Sequence, residues 1–182
     1  GSPRKNGNTA TLIKHVLDRL RQEGIETEYH SFGGKELRGC LACYKCFKKQ
    51  NCRCSQEKDE LNSYVERMLE ADGIILGSPT YFANVSAEMK ALIDRAGLVA
   101  KANGDMFKHK VGAAVVAVRR AGSIPAFDAI NHFFLISQMI VPDSSYWNIG
   151  IGLEKGDVER DEEGLRTMTT LGENMAWLLK RL

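Results

Sequence analysis

The 182-residue chain reads as an α/β sandwich around a mainly parallel sheet, and three observations carry that reading. Helical stretches alternate with short apolar runs, the order in which helices cover a parallel sheet. The runs Gly73–Gly77 and Val111–Val118 are almost wholly apolar, as strands buried on both faces are. The composition is that of a globular domain, 43% hydrophobic and 26% charged, and a chain this long buries roughly 70% of its unfolded surface without disulfide staples.

The elements follow in order. Leu12, Ile13, Val16, Leu17 and Leu20 recur at helical spacing, and Gly24 stops that helix near residue 22. Ile25 to Tyr29 alternates in the manner of a strand near a sheet edge. Residues 33 to 57 hold all five cysteines and no clean period, which marks a long functional loop. Helical spacing returns from Asp59 to Ala71, then again from Ser86 to about Ala102 after the first buried run. Beyond Val118, Ile124 to Met139 reads as an apolar helix. Ile140-Val141 with the Tyr146-Trp147 region offers a last strand, and Arg160 to Leu182 closes the chain as an amphipathic helix. With no repeat or low-complexity linker, residues 1–182 read as one domain with a cysteine-rich loop at 39–55.

Charge excludes some functions. Twenty-five Lys and Arg face 23 Asp and Glu for a net +2, interleaved along the chain, so neither nucleic acid nor a membrane surface is an expected partner. No run approaches the ~18 apolar residues of a membrane span and no signal peptide is visible; the chain reads as soluble and cytoplasmic. Its first nine residues form a turn-like string that makes a poor domain start, so the first, central strand of the sheet is expected upstream of Gly1.

In a doubly wound sheet, ligands sit beyond the carboxyl ends of the strands. Three segments with suitable chemistry fall there. Gly1-Ser2-Pro3-Arg4-Lys5-Asn6-Gly7-Asn8-Thr9 leads into a helix, whose first N–H groups and partial positive charge suit a phosphate, with Ser2, Arg4, Asn8 and Thr9 able to complete its shell. An ordinary cap and turn uses the same residues. Neither a G-x-G-x-x-G fingerprint nor a P-loop is present, which argues against dinucleotide and triphosphate sites. Gly77-Ser78-Pro79-Thr80-Tyr81-Phe82-Ala83-Asn84-Val85 sets two aromatics after a buried strand, suited to a flat conjugated ring whose polar edge Thr80 and Asn84 could bond. Ala117-Val118-Arg119-Arg120-Ala121-Gly122-Ser123 would place cations beside a ring that gains negative charge on reduction; a solvated arginine pair is the plainer alternative.

Taken together, GSPRKNGNT, GSPTYFANVSAEMKALIDRAG and the cysteine cluster between them resemble the NADPH-dependent FMN reductase family, and within it the iron-sulfur flavoprotein branch. The resemblance runs over essentially the whole chain. It implies a flavodoxin-like three-layer sandwich with a five-stranded parallel sheet in the order 2-1-3-4-5, one FMN per subunit, and homodimers or homotetramers. By that likeness Ser2, Arg4, Asn8 and Thr9 hold the FMN phosphate. Pro79, Thr80, Tyr81, Phe82 and Asn84 flank the isoalloxazine, and Arg119, Arg120 and Ala121 lie on its other side.

The cysteines are spaced Cys40-x2-Cys43-x2-Cys46-x5-Cys52-x-Cys54. Such clustering in a cytosolic chain argues for metal or redox chemistry. The spacing resembles the motif that holds a [4Fe–4S] cluster in iron-sulfur flavoproteins, which implies Cys40, Cys43, Cys46 and Cys52 as ligands and Cys54 as a spare. Plain thiols or a partial disulfide, and zinc, remain the other readings. His15, His30, His109 and His132 show no catalytic pairing, so the chemistry is expected to be carried by the flavin.

Three functions follow from this sequence. The first is an FMN oxidoreductase passing electrons from NAD(P)H, or a reduced carrier such as ferredoxin, to a small acceptor such as a quinone or flavin. The second is an iron-sulfur flavoprotein that relays electrons between protein partners. The third is a flavin-free module using its cysteines for zinc or thiol switching.

Overall fold

A computed structural model describes residues 1–182. Three parallel strands form the sheet in the order β1 (Gly73–Pro79), β2 (Val111–Val118), β3 (Ile149–Ile151). Helices α1 (Asn8–Gln22) and α6 (Glu162–Leu179) cover one face, and α3 (Leu61–Glu70), α4 (Ala87–Ala102) and α5 (Ser123–Ile136) the other. A short α2 (Lys45–Lys49) lies within the cysteine loop.

The two-residue period of β2 sorts the core. Val111, Ala113, Val115 and Ala117 pack with Leu12, Val16, Met168 and Leu171 of α1 and α6. Ala114 and Val116 join Leu92, Ala96, Ile130 and Phe134 of α4 and α5. Every residue of β2 is buried, which is why its sequence is a continuous apolar run. The helices come close where the strands carry glycine: a Cβ on Gly77 would lie 2.3 Å from Ile13 Cδ1, and one on Gly150 2.6 Å from Leu12.

Two expected strands differ. The last strand is Ile149–Ile151, paired with Val116–Val118, and not Ile140-Val141 with Tyr146-Trp147. Ile140 makes a single bridge to Val111, because the chain leaves the sheet through Pro142 and returns only at Asn148, whose carbonyl accepts the Val116 N–H at 2.9 Å. Ile25–Tyr29 forms no ladder. A cavity of about 580 Å³, walled by residues 25–30, the free edge of β1 and Ile13, Leu17, Met89 and Met175, separates it from any partner. That space lies where the order 2-1-3-4-5 puts its central strand. No helix is long and apolar enough to cross a membrane.

Candidate functional site

Four loops meet at the carboxyl edge of the sheet. The first runs from Gly1 into α1. Its end is anchored where the Gly1 amino group donates to Gly77 O at 2.7 Å and the Ser86 hydroxyl donates to Gly1 O. Gly7 is the N-cap of α1; having no side chain, it offers no cap hydrogen bond, and no acidic residue stands in the first turn. The backbone N–H groups of Lys5, Asn6, Gly7, Asn8 and Thr9 consequently find no acceptor in the chain. Five successive free donors at a helix amino terminus form a cradle for an anion. Arg4 and Lys5 beside it, and Arg119 and Arg120 on the third loop, are exposed and make no ion pair.

The fourth loop, residues 152–156, carries none of the sequence motifs described above. Asn8 donates to Glu154 O at 2.9 Å and accepts from Gly156 N at 2.9 Å, and Arg4 donates to Leu153 O at 3.3 Å. Both side chains thus tie the first loop to the fourth, leaving backbone amides as the principal free donors. Ser2 caps the turn by accepting from Arg4 N at 3.2 Å. Thr9 is buried, and its hydroxyl makes no hydrogen bond in the chain. Gly152 and Gly156, bracketing a turn after the last strand, were the available signal for this loop.

The second loop is a tight turn. Tyr81 and Asn84 exchange backbone hydrogen bonds of 2.9 and 3.0 Å across Phe82 and Ala83, which sit at φ 47° and 57°. Left-handed backbone at two adjacent non-glycine residues costs about 1–2 kcal/mol each, and such strain concentrates at functional sites. It holds Phe82 fully in solvent with Tyr81 half exposed beside it. Asn84 does not reach outward: its side chain accepts from Val85 N at 2.8 Å. Thr80 Oγ1 is buried without a partner, an unsatisfied hydroxyl that a ligand atom would satisfy. Gly122 of the third loop sits at φ 82°, a conformation that favours glycine, and a Cβ there would make a tight 3.3 Å contact with that of Ala83.

A second constellation lies away from this edge, against α4. Cys40, Cys43, Cys46 and Cys54 line one small pocket of about 20 Å³ together with Ser55, Gln56 and Arg95. Cys52 is not among its walls. All five thiols are free, and no three metal-ligating side chains stand close enough for a single ion. Ala42 N donates to Cys40 Sγ, the Cys43 thiol meets Ser55 Oγ and Arg95 Nε donates to Cys54 Sγ, each at 3.4 Å. The Ser55 bond, with help from the Lys45 N–H, holds the Cys43 thiol below its ordinary range. Burial pushes the Cys46 thiol up. Ala42, Tyr44, Gln50 and Cys52 all adopt left-handed backbone, so this loop too is strained.

Arg95, 1% exposed, organises it. It donates to Arg38 O at 3.0 Å and Gln56 O at 3.1 Å, on either side of the cysteines, and pairs with Asp59 at 2.5 Å. Burial alone would raise the Asp59 carboxyl, but the Arg95 guanidinium and the N–H groups of Arg38 and Leu61 outweigh it and hold the carboxyl below the usual range.

The chain is similar to known proteins over most of its length. The family model described as NADPH-dependent FMN reductase matches residues 1–154. The chain belongs to that family. An iron-sulfur flavoprotein of Methanocaldococcus jannaschii is 41% identical over 99% of this chain and 94% of its own length, and one of Archaeoglobus fulgidus is 32% identical over 100% and 95%. Membership therefore falls in the iron-sulfur flavoprotein branch. The structure of a flavodoxin from the domain Archaea superposes with a TM-score of 0.63 at 19% identity, over 97% of this chain and 94% of that one, which supports the flavodoxin-like fold. With three strands in place of the five expected, this chain is an FMN-family flavoprotein oxidoreductase on that fold.

Proposed function

We propose that this flavoprotein binds FMN across the four-loop edge and passes electrons through it from NAD(P)H or a reduced carrier to a small acceptor such as a quinone or a flavin. The observation that carries the reading is the row of five free N–H groups from Lys5 to Thr9. They suit the dianionic phosphate of FMN, with Arg4 and Lys5 adding charge and Ser2, Asn8 and Thr9 shaping the loop around it. Pro79 and the unpaired Thr80 hydroxyl meet the polar edge of the ring. Tyr81 and Phe82 flank its face, and Asn84 keeps their turn closed. Arg119, Arg120 and the Ala121 backbone face the negative charge that reduction brings. FMN, when bound, supplies the hydride and electron chemistry; the protein orients it and admits its partners.

FMN and riboflavin, which differ by the phosphate, separate this site from a generic aromatic cleft. Charge-assisted hydrogen bonds are each worth about 1.5–3 kcal/mol, so losing two or more weakens binding by roughly 100-fold or more. Flavin-fluorescence titration is expected to show that gap, and equal affinities would sink the proposal.

The cysteine pocket favours a second reading of the same chain. Four thiols around one cavity, beside Lys45, Lys48, Lys49 and Arg53, fit the donor chemistry of a [4Fe–4S] cluster, and the chain would then relay single electrons between FMN and a protein partner such as ferredoxin. Exposed Leu41, Tyr44 and Phe47 on that loop offer a surface for the partner or for a second subunit of a homodimer or homotetramer. Anaerobic purification with a visible spectrum and iron, sulfide and zinc analysis distinguishes the readings. Flavin alone supports two-electron chemistry, flavin with iron and sulfide supports the relay, and zinc without flavin removes both.

A further inference from the structure

Resting on the reading of the cysteine loop as the seat of a [4Fe–4S] cluster, we infer that the fourth thiolate ligand is Cys54 and that Cys52 stands outside the ligand set. Spacing alone does not decide between them, since Cys52 follows Cys46 by six positions and Cys54 by eight, and either span can close a loop around a cube. The fold separates the two.

Cys54 shares its pocket with Cys40, Cys43 and Cys46, and its backbone is the best fixed of the five. Buried Asn62 accepts from Cys54 N at 2.8 Å and donates to Cys54 O at 3.0 Å. Its sulfur already accepts an N–H bond from Arg95. Such bonds orient anionic ligands and tune the potential of the centre they hold. Because Arg95 also grips Arg38 O and Gln56 O, one buried side chain fixes both flanks of the loop and the thiol between them.

Cys52 is held elsewhere. It is exposed, at φ 59°, and its N–H donates to Asn103 Oδ1 at 3.0 Å. Asn103 follows Arg95 by eight residues, about 12 Å along the axis of α4. The neighbouring Gln50 is tied to the same end of that helix through Ala102 O at 3.2 Å. The Cys52 sulfur takes part in no hydrogen bond. Cys52 and its neighbour Gln50 are thus anchored to the end of α4, whereas Cys54 already lines the pocket of the other three thiols.

The test begins with wild-type protein purified anaerobically with its cluster, treated with iodoacetamide under native conditions and mapped by mass spectrometry. Cys52 alone is expected to carry the label, and chelation of the iron is expected to expose Cys40, Cys43, Cys46 and Cys54 as well. Iron and sulfide content of the FMN-loaded variants then checks the assignment. Cys52→Ser retains about four irons per chain, while Cys54→Ser loses at least half, with bound FMN as proof that each variant has folded. A label pattern that protects Cys52 or marks Cys54 in the loaded protein overturns the inference, as does iron loss confined to Cys52→Ser. Wild-type protein that holds FMN but no iron overturns the underlying cluster reading too, so the two failures are told apart.

Discussion

The carboxyl edge of the sheet and the cysteine loop present their donors in opposite ways. At the edge, the donors are mainly backbone: free amides from Lys5 to Thr9, with the lone Thr80 hydroxyl opposite. They reach one place because loops from distant parts of the chain are tied together, Asn8 to Gly156 and Thr80 to Ala117. In the cysteine loop the donors are side chains within fifteen residues of sequence, and a single arginine from α4 supplies the long-range fixing. A site of amides is robust to the loss of any one side chain. A site hung on one buried ion pair is not.

The sharpest way to break that contrast is Arg95→Ala. Removing one partner of a buried pair costs about 3–5 kcal/mol, and Asp59, 3% exposed in the intact pair, would be left without its counter-charge. Urea denaturation should register that loss, with the cysteine loop becoming the first segment to exchange amide hydrogen. A cost below about 1 kcal/mol would mean that the loop is held by something other than this pair.

Acid should release part of the same latch. The Asp59 carboxyl is held below its ordinary range, so the native state favours the ionised form. The stabilisation is fully present above the unfolded carboxylate value of ~3.9 and is lost as pH falls through the lower native value. Hydrogen exchange at Cys54, whose N–H is bonded to Asn62 of α3, is expected to quicken below about pH 4 beyond its intrinsic rate, and Asp59→Asn should remove that pH dependence. An unchanged profile in the variant would assign the acid response to another group.

Thr80→Val tests the other region with two signs at once. A buried hydroxyl without a partner is costly, so the flavin-free protein should gain up to about 1 kcal/mol in stability, while FMN affinity falls about tenfold as the ligand loses its hydrogen bond. Equal movement of both quantities in one direction would make Thr80 a packing residue only. The smallest effect is expected at the exposed arginines. Arg119→Ala with Arg120→Ala should leave unfolding within about 0.5 kcal/mol yet weaken reduced FMN more than oxidised FMN, seen as a lowered flavin potential.

Much of the fold was legible in the sequence because burial writes itself into periodicity. The helical spacing of Leu12, Val16 and Leu20 and the unbroken apolar run of Val111–Val118 follow directly from which faces are covered. The last strand was not legible. Ile149–Ile151 is three residues long and holds a glycine packed on Leu12, whereas Ile140-Val141 has the stronger local propensity but makes only one bridge. Ile25–Tyr29 carries a strand-like pattern, but a ladder needs a partner, and a cavity lies on that side of β1.

The candidate site divides along the same line. Residue types alone marked the phosphate-like string at Gly1–Thr9, the aromatics at Tyr81-Phe82 and the cysteine cluster, since a turn, a flat face and a set of thiols are chemical properties of the residues themselves. Only the tertiary structure decided that Arg4 and Asn8 bind loop 152–156 instead of standing free. It alone left Thr80 without a partner and set Cys54, not Cys52, beside the other thiols. Those outcomes depend on which groups satisfy one another first, and that competition is settled by contacts between segments up to 149 positions apart, beyond the reach of any local pattern.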